Sequence, residues 1–163
     1  WKFIGVGMPR RSCVGPRHII NNLSPFVPVY PSATLSVNPV AMTAGLNTLD
    51  LITAPRVHDS LFAQTEKFIK GLQEESNKAN IPMTTNHIGS MFGFFFTQEV
   101  AVTNFKQVMA CDSERFRRFF RGMLDAGIYF APAAYEGCFM SAAHTDEDIE
   151  FTLEAASKVF KTL

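Results

Sequence analysis

The stretch IPMTTNHIGSMFGFFFTQ, residues 81–98, limits the choice of fold more than any other part of the chain. Its aromatic and β-branched side chains favour extended backbone, and Gly89 and Gly93 interrupt it, so it reads as two strands around a turn or bulge. Phe94, Phe95 and Phe96 then read as core strand, not as a cofactor-contacting box. Helical patterns flank the pair. Over 59–77, Leu61, Thr65, Phe68 and Leu72 form one stripe, with Glu66–Lys70 and Glu74–Lys78 at i,i+4 spacing. Ser113 caps an expected helix whose inward face is Phe116, Phe119, Phe120 and Met123, and Gly127 stands where a left-handed C-terminal residue belongs. IYFAP, 128–132, reads as a short strand. A last helix opens at Thr145, with Asp148 three residues on as in a capping box, and runs along Ile149, Leu153, Ala156, Phe160 and Leu163.

Residues 59–163 thus predict a helix–strand–strand–helix–strand–helix unit of the α/β class (an α+β small domain). Its sheet is expected to be three-stranded and mainly antiparallel, with helices on one side. Ahead of it, NPVAMTAGLNTLDLI, 38–52, reads as a helix, with Asn38 at the N-cap, Pro39 at the first helical position, and Met42, Leu46 and Leu49 on one face. Residues 1–37 are rich in Gly and Pro and lack alternating elements; they predict extended chain, with a short helix near 17–23.

The 163 residues are 47% hydrophobic, and 15 basic residues balance 15 acidic ones without a run of one sign. That balance argues against a nucleic-acid binder or a polybasic membrane surface, and no run approaches the roughly twenty apolar residues that cross a bilayer. Cys13, Cys111 and Cys138 are odd in number and widely spaced, which favours a reducing, cytoplasmic setting over a disulfide framework. His18, His58, His87 and His144 are isolated from one another, so no metal site is expected. Asp146, Glu147 and Asp148 read as dressing of a helix N-terminus.

Two places bear on chemistry. Lys2 precedes the glycines of IGVGMP. It is either a solvated lysine or, if desolvated beside tight turns, an amine nucleophilic toward carbonyls. In ATLSVNP, Thr34 and Ser36 precede the Asn38-Pro39 helix start. They form a plain hydroxyl turn or, with free helical N–H groups pointing outward, an anion site. A carbonyl-binding lysine together with a phosphate cradle would suggest pyridoxal phosphate.

The segments KFIGVGMP, TLSVNPVAMTAGLNTLDL, IGSMFGFFFT, VMACDSERFRRFF and YEGCFMSAAHTDEDIEFTLEAA carry a further signal. Across essentially its whole length the chain resembles the C-terminal portion of the glutamate-1-semialdehyde 2,1-aminomutases, fold-type-I pyridoxal-phosphate enzymes of the class-III aminotransferase group. VMACD and SAAHTDEDI resemble the aminomutases more than the aminotransferases at large. The resemblance implies that Lys2 is the covalent anchor of pyridoxal 5'-phosphate and the acid/base at the adjoining carbon. It implies that Thr34 binds the cofactor phosphate across a homodimer interface, and that Glu136, with Ser36, lies near the substrate. The implied reaction converts glutamate-1-semialdehyde to 5-aminolevulinate in tetrapyrrole (porphyrin) biosynthesis.

By the same resemblance, 1–37 is a remnant of the large cofactor-binding domain, 38–58 a linking helix and 59–163 the small domain of a longer enzyme. The departures fall in 1–37. Val6, Arg11, Val14, Ala33 and Val37 stand where the family has glycine, and Pro31 where it usually has Gln. A valine forced into a left-handed conformation stores ~1–3 kcal/mol of strain. The alternatives are therefore an inactive piece that serves as a packing or dimerisation module, or another class-III aminotransferase.

Overall fold

The computed structural model describes residues 16–22 and 38–163. The chain divides into two units, Trp1–Pro55 and Arg56–Leu163.

In the first unit, α1 is a single turn, Arg17–Ile20, where the sequence predicts a short helix. Helix α2 spans Pro39–Thr53. Its N-cap forms as expected: the Asn38 side chain accepts from the N–H groups of Val40, at 3.0 Å, and Ala41, at 3.4 Å. Met42, Leu46 and Leu49 share a face, but that face is exposed, and the buried positions of α2 are Ala41 and Gly45.

The second unit opens with α3, Val57–Lys78. The helix starts two residues before the predicted Asp59, which sits instead in the first turn, where its carboxylate meets the positive end of the dipole. The stripe Thr65, Phe68 and Leu72 is buried, with Ile69 and Ser76 beside it. Both buried hydroxyls are satisfied within the helix, Thr65 donating to the Leu61 carbonyl and Ser76 to that of Gln73. The Glu66–Lys70 pair forms at 2.7 Å. Lys78, however, pairs with Glu75, not with Glu74 as the spacing predicts.

Strands β1, Thr84–Ile88, and β2, Met91–Phe95, form the expected hairpin, pairing antiparallel from Thr84↔Phe95 to Ile88↔Met91. The two-residue turn needs a positive φ at its first position, and Gly89 supplies it at +59°. A Cβ at Gly89 would also stand 2.8 Å from the Phe62 ring.

A one-turn helix absent from the sequence reading, α4, spans Phe105–Met109, with the Asn104 side chain accepting from the Gln107 N–H. Helix α5 is Ser113–Asp125. Its cap is Asp112, whose carboxylate accepts from the Arg115 N–H at 2.9 Å; Ser113 is already helical, a correction of one residue. The helix stops as expected. Gly127 adopts φ +87°, its N–H bonds to the Leu124 carbonyl, and Ile128 N–H bonds to the Met123 carbonyl, which is the Schellman pattern.

That termination explains the main correction to the fold. Residues 128–132 form no strand, because the Ile128 N–H is committed to the helix end and Pro132 has none to offer. The third strand lies later: β3, Cys138–Phe139, pairs antiparallel with β2 through Met91↔Phe139 and Phe92↔Cys138. The sheet order is β1-β2-β3, antiparallel throughout. Helix α6, Asp146–Phe160, carries the full capping box, with Thr145 accepting from Asp148 N–H and Asp148 accepting from Thr145 N–H.

Helices α3, α5 and α6 cover the sheet face that bears Phe92 and Phe94. Phe94 meets Phe116, Phe119 and Phe130 at ring separations of 5.9, 5.4 and 5.4 Å, and Phe119 stacks on Phe160 at 4.9 Å. Such pairs add about 0.5–1.5 kcal/mol each beyond the area they bury. Though it is not a strand residue, Phe130 is buried in this cluster. Among the described residues no helix is long and apolar enough to cross a membrane.

Candidate functional site

The opposite face of the sheet carries a cleft of about 320 Å3. Because side chains alternate along a strand, Ile88 and Asn86 of β1 share this face with Met91, Gly93 and Phe95 of β2. Phe105 and Val108 of α4 wall one side, and the loop Ala134, Tyr135, Glu136 and Gly137 forms the rim. The Asn86 side chain donates to the Val102 carbonyl at 2.7 Å, which ties the strand to the segment leading into α4. The Phe105 and Tyr135 rings lie 6.1 Å apart.

Glu136 is exposed at this rim, its backbone N–H bonded to the Ala133 carbonyl at 3.1 Å. Its carboxylate also reaches the neighbouring thiol electrostatically. Burial pushes the Cys138 thiol up, a hydrogen bond from the Ala131 backbone opposes that shift, and the Glu136 charge adds to it. Cys138 therefore stays protonated and makes a poor nucleophile. The same holds for Cys111, raised first by burial and then by Glu99. Chemically, the cleft accepts an apolar stem and presents one carboxylate, which attracts an ammonium or N–H donor and repels an acid.

Of the site residues expected from the sequence, only Glu136 lies in the described part of the chain. Lys2, Thr34 and Ser36 lie outside it. One element of the anion-site reading is corrected. The start of α2 does not leave N–H groups pointing outward, because Asn38 takes those of Val40 and Ala41, Pro39 has none, and Met42 N–H bonds to the Asn38 carbonyl. Among the described residues no lysine lines the cleft. The described residues thus provide neither a covalent anchor nor a phosphate cradle, and do not by themselves fit pyridoxal phosphate. Among them, no cluster of three or more His, Cys, Asp and Glu could hold a metal ion.

Sequence reasoning missed His87, Phe105 and Tyr135, which line the cleft with Glu136. One signal was present. Asn104 followed three residues later by Gln107 is a capping spacing that marks α4.

Solved structures share this architecture. The chain aligns with an omega-transaminase from Sphaerobacter thermophilus at TM-score 0.72 and 20% identity, over 90% of this chain and 34% of that one. It aligns with the FumI protein of Sphingopyxis sp. MTA144, in its PLP internal aldimine form, at TM-score 0.67 and 25% identity, over 83% of this chain and 30% of the other. A transaminase with PLP bound matches at TM-score 0.67 and 20% identity, over 85% and 31% respectively. The chain spans about a third of the length of these structures. The family profile described as aminotransferase class-III matches residues 2–160, and the chain belongs to that family.

Proposed function

We propose that this chain is the C-terminal portion of a pyridoxal 5'-phosphate enzyme that moves an amino group between adjacent carbons of glutamate-1-semialdehyde, giving 5-aminolevulinate. The observation that carries the proposal is the class-III match, which runs from residue 2 to residue 160. The VMACD and SAAHTDEDI segments support the aminomutase choice within that family. The cofactor, when bound, supplies the electron sink for labilising a proton beside the amine.

In this reading Lys2 Nζ holds the cofactor covalently and moves that proton. The Thr34 hydroxyl and N–H donate to the phosphate across a homodimer interface, and Ser36 lies near the substrate. Glu136 faces the substrate from the cleft rim, where its charge favours the amino end over the carboxylate end. The enzyme works in the cytoplasm, in keeping with three widely spaced cysteines.

A second reading is favoured by the solved neighbours, which are transaminases: a class-III aminotransferase with another amine donor. A third, favoured by Val6 and Val37 in place of family glycines, is an inactive module. A spectrum and a product assay on the complete gene product carrying this chain separate the three. Expected are a visible absorbance band with pyridoxal phosphate that Lys2→Ala abolishes, formation of 5-aminolevulinate, and a loss of rate in the variant of about a hundred- to ten-thousandfold. Turnover of an amine donor and a keto acid, without turnover of glutamate-1-semialdehyde, would select the aminotransferase. A band unchanged by Lys2→Ala, or no band at all, would leave the inactive module.

A further inference from the structure

Strand β1 is an outer strand of the sheet, paired on one side only. Across a two-residue turn the flanking residues, Ile88 and Met91, form a hydrogen-bonded pair, so Thr84, Asn86 and Ile88 are the residues that exchange bonds with β2. The N–H and C=O groups of Thr85 and His87 then point the other way, out of the sheet. Among the described residues none of these four groups has a partner. The neighbouring segment engages side chains alone: the Thr84 hydroxyl donates to the Glu99 carbonyl, and the Asn86 amide to that of Val102.

Sheets blunt such an edge with lysine, proline, a bulge or extreme shortness. At the far edge β3 is two residues long. β1 has none of these guards. It reads TTNHI, five residues in unbroken register, without proline, lysine, arginine or carboxylate. Asn86, His87 and Ile88 are exposed, Ile88 at 74%.

We infer that the β1 edge docks a second copy of this chain, the two β1 strands pairing antiparallel about an axis at Asn86. The edge is self-complementary in that register. Thr85 faces the partner's His87, and His87 the partner's Thr85, so the four free groups of each copy are all used, in four interstrand hydrogen bonds. Ile88 lies across from the partner's Thr84 on the cleft face, which removes apolar surface from water. Like charges facing each other would oppose the pairing, and β1 carries none. A second copy is the fitting partner because its own edge presents the same free groups in the matching order. This contact is separate from the homodimer interface proposed for Thr34, and does not rest on that reading.

The test follows the 163-residue chain by sedimentation over a range of concentrations, with its amide spectrum reporting the fold. A monomer–dimer equilibrium is expected. Thr85→Pro removes an N–H that β2 does not use, and proline is tolerated at such an edge position, so the hairpin should persist. Two of the four interstrand bonds are lost, one donated by each copy, and the association constant should fall about a hundredfold, at roughly tenfold per bond. The register is read by oxidative cross-linking, against the wild-type chain as background for its own cysteines. Asn86→Cys meets its counterpart on the axis with Cα atoms ~4.5 Å apart, within disulfide reach, and should cross-link. Ile88→Cys, on the same strand face, would stand about 14 Å from its counterpart and should stay at background. A chain that remains monomeric at every concentration, a dimer that Thr85→Pro leaves intact, or cross-linking of Ile88→Cys as fast as that of Asn86→Cys would each overturn the inference. If Thr85→Pro fails to fold, the two cysteine variants decide.

Discussion

Helices α5 and α2 are close in length and opposite in how they meet their surroundings. α5 carries Arg115, Arg117, Arg118 and Arg121 among its aromatics, yet Phe119 and Met123 are 0% exposed and Phe116 is buried. α2 has Asp50 as its one charged residue, yet Val40, Leu46 and Leu51 are 65%, 60% and 70% exposed. The difference lies in patterning. In α5 the charges stand outside the stripe Phe116, Phe119 and Met123, so a single orientation buries the rings and solvates the guanidinium groups. α2 is apolar on several sides and declares no single inward face. Burial among the described residues thus follows where the polar groups are, not how many apolar ones a helix has.

The largest effect should come from the α5 side of this contrast. Phe119 lies at ring-contact distance from Phe94, Phe96, Phe130 and Phe160, so Phe119→Ala leaves a cavity that neighbours on β2, on α6 and in the intervening loops cannot easily close. The expected cost is about 3–5 kcal/mol, read from denaturant unfolding followed by circular dichroism. A loss near 1 kcal/mol would mean that the ring cluster is not the stabilising centre of this unit.

How much of this was legible from residues alone follows the same logic. Helix ends written in local chemistry could be read: Thr145 with Asp148, Gly127 past α5, Asn38 before α2. The hairpin could be read because Gly89 and the aromatic run agree. IYFAP misled because its composition is that of a strand, while its first N–H belongs to the α5 terminus and Pro132 lacks one. Cys138–Phe139 is too short to show any period, yet it completes the sheet. The cleft was not legible at all. β1, β2, α4 and the 134–137 loop build it jointly, and nothing in the spacing of His87, Phe105 and Glu136 announces that they converge. The roles of Lys2, Thr34 and Ser36 rest on family resemblance, which reads identity without needing geometry.

A smaller effect is expected at the capping box of α6. Thr145→Ala removes the hydroxyl that accepts from Asp148 N–H and donates to its carboxylate, at a cost of about 1 kcal/mol. A pH dependence accompanies it. The backbone and then the side chain of Thr145 lower the Asp148 pKa, so its folded pKa lies below its unfolded one. Stabilisation from this carboxylate is therefore fully present above the unfolded Asp pKa and lost as pH falls through the folded one. The gap between the unfolding midpoints of wild type and Thr145→Ala, measured from neutral pH into the acid range, should narrow as Asp148 protonates, leaving the share due to the hydroxyl's bond from Asp148 N–H. A constant gap would mean that the bond from the Thr145 hydroxyl to the carboxylate contributes nothing.

The smallest effect should come from α2. Leu46 is 60% exposed, and truncating it removes little apolar area from any described contact, so Leu46→Ala should shift stability by no more than about 0.5 kcal/mol. Alanine also has the higher helix propensity, which offsets part of that loss. The comparison with Phe119→Ala is informative because the deleted groups are both large and apolar, and both sit in helix interiors. If exposure governs the outcome, the two losses should differ by several-fold in thermal unfolding monitored at the helix band. A Leu46→Ala loss approaching that of Phe119→Ala would break the contrast, placing Leu46 against a surface that the described residues do not supply.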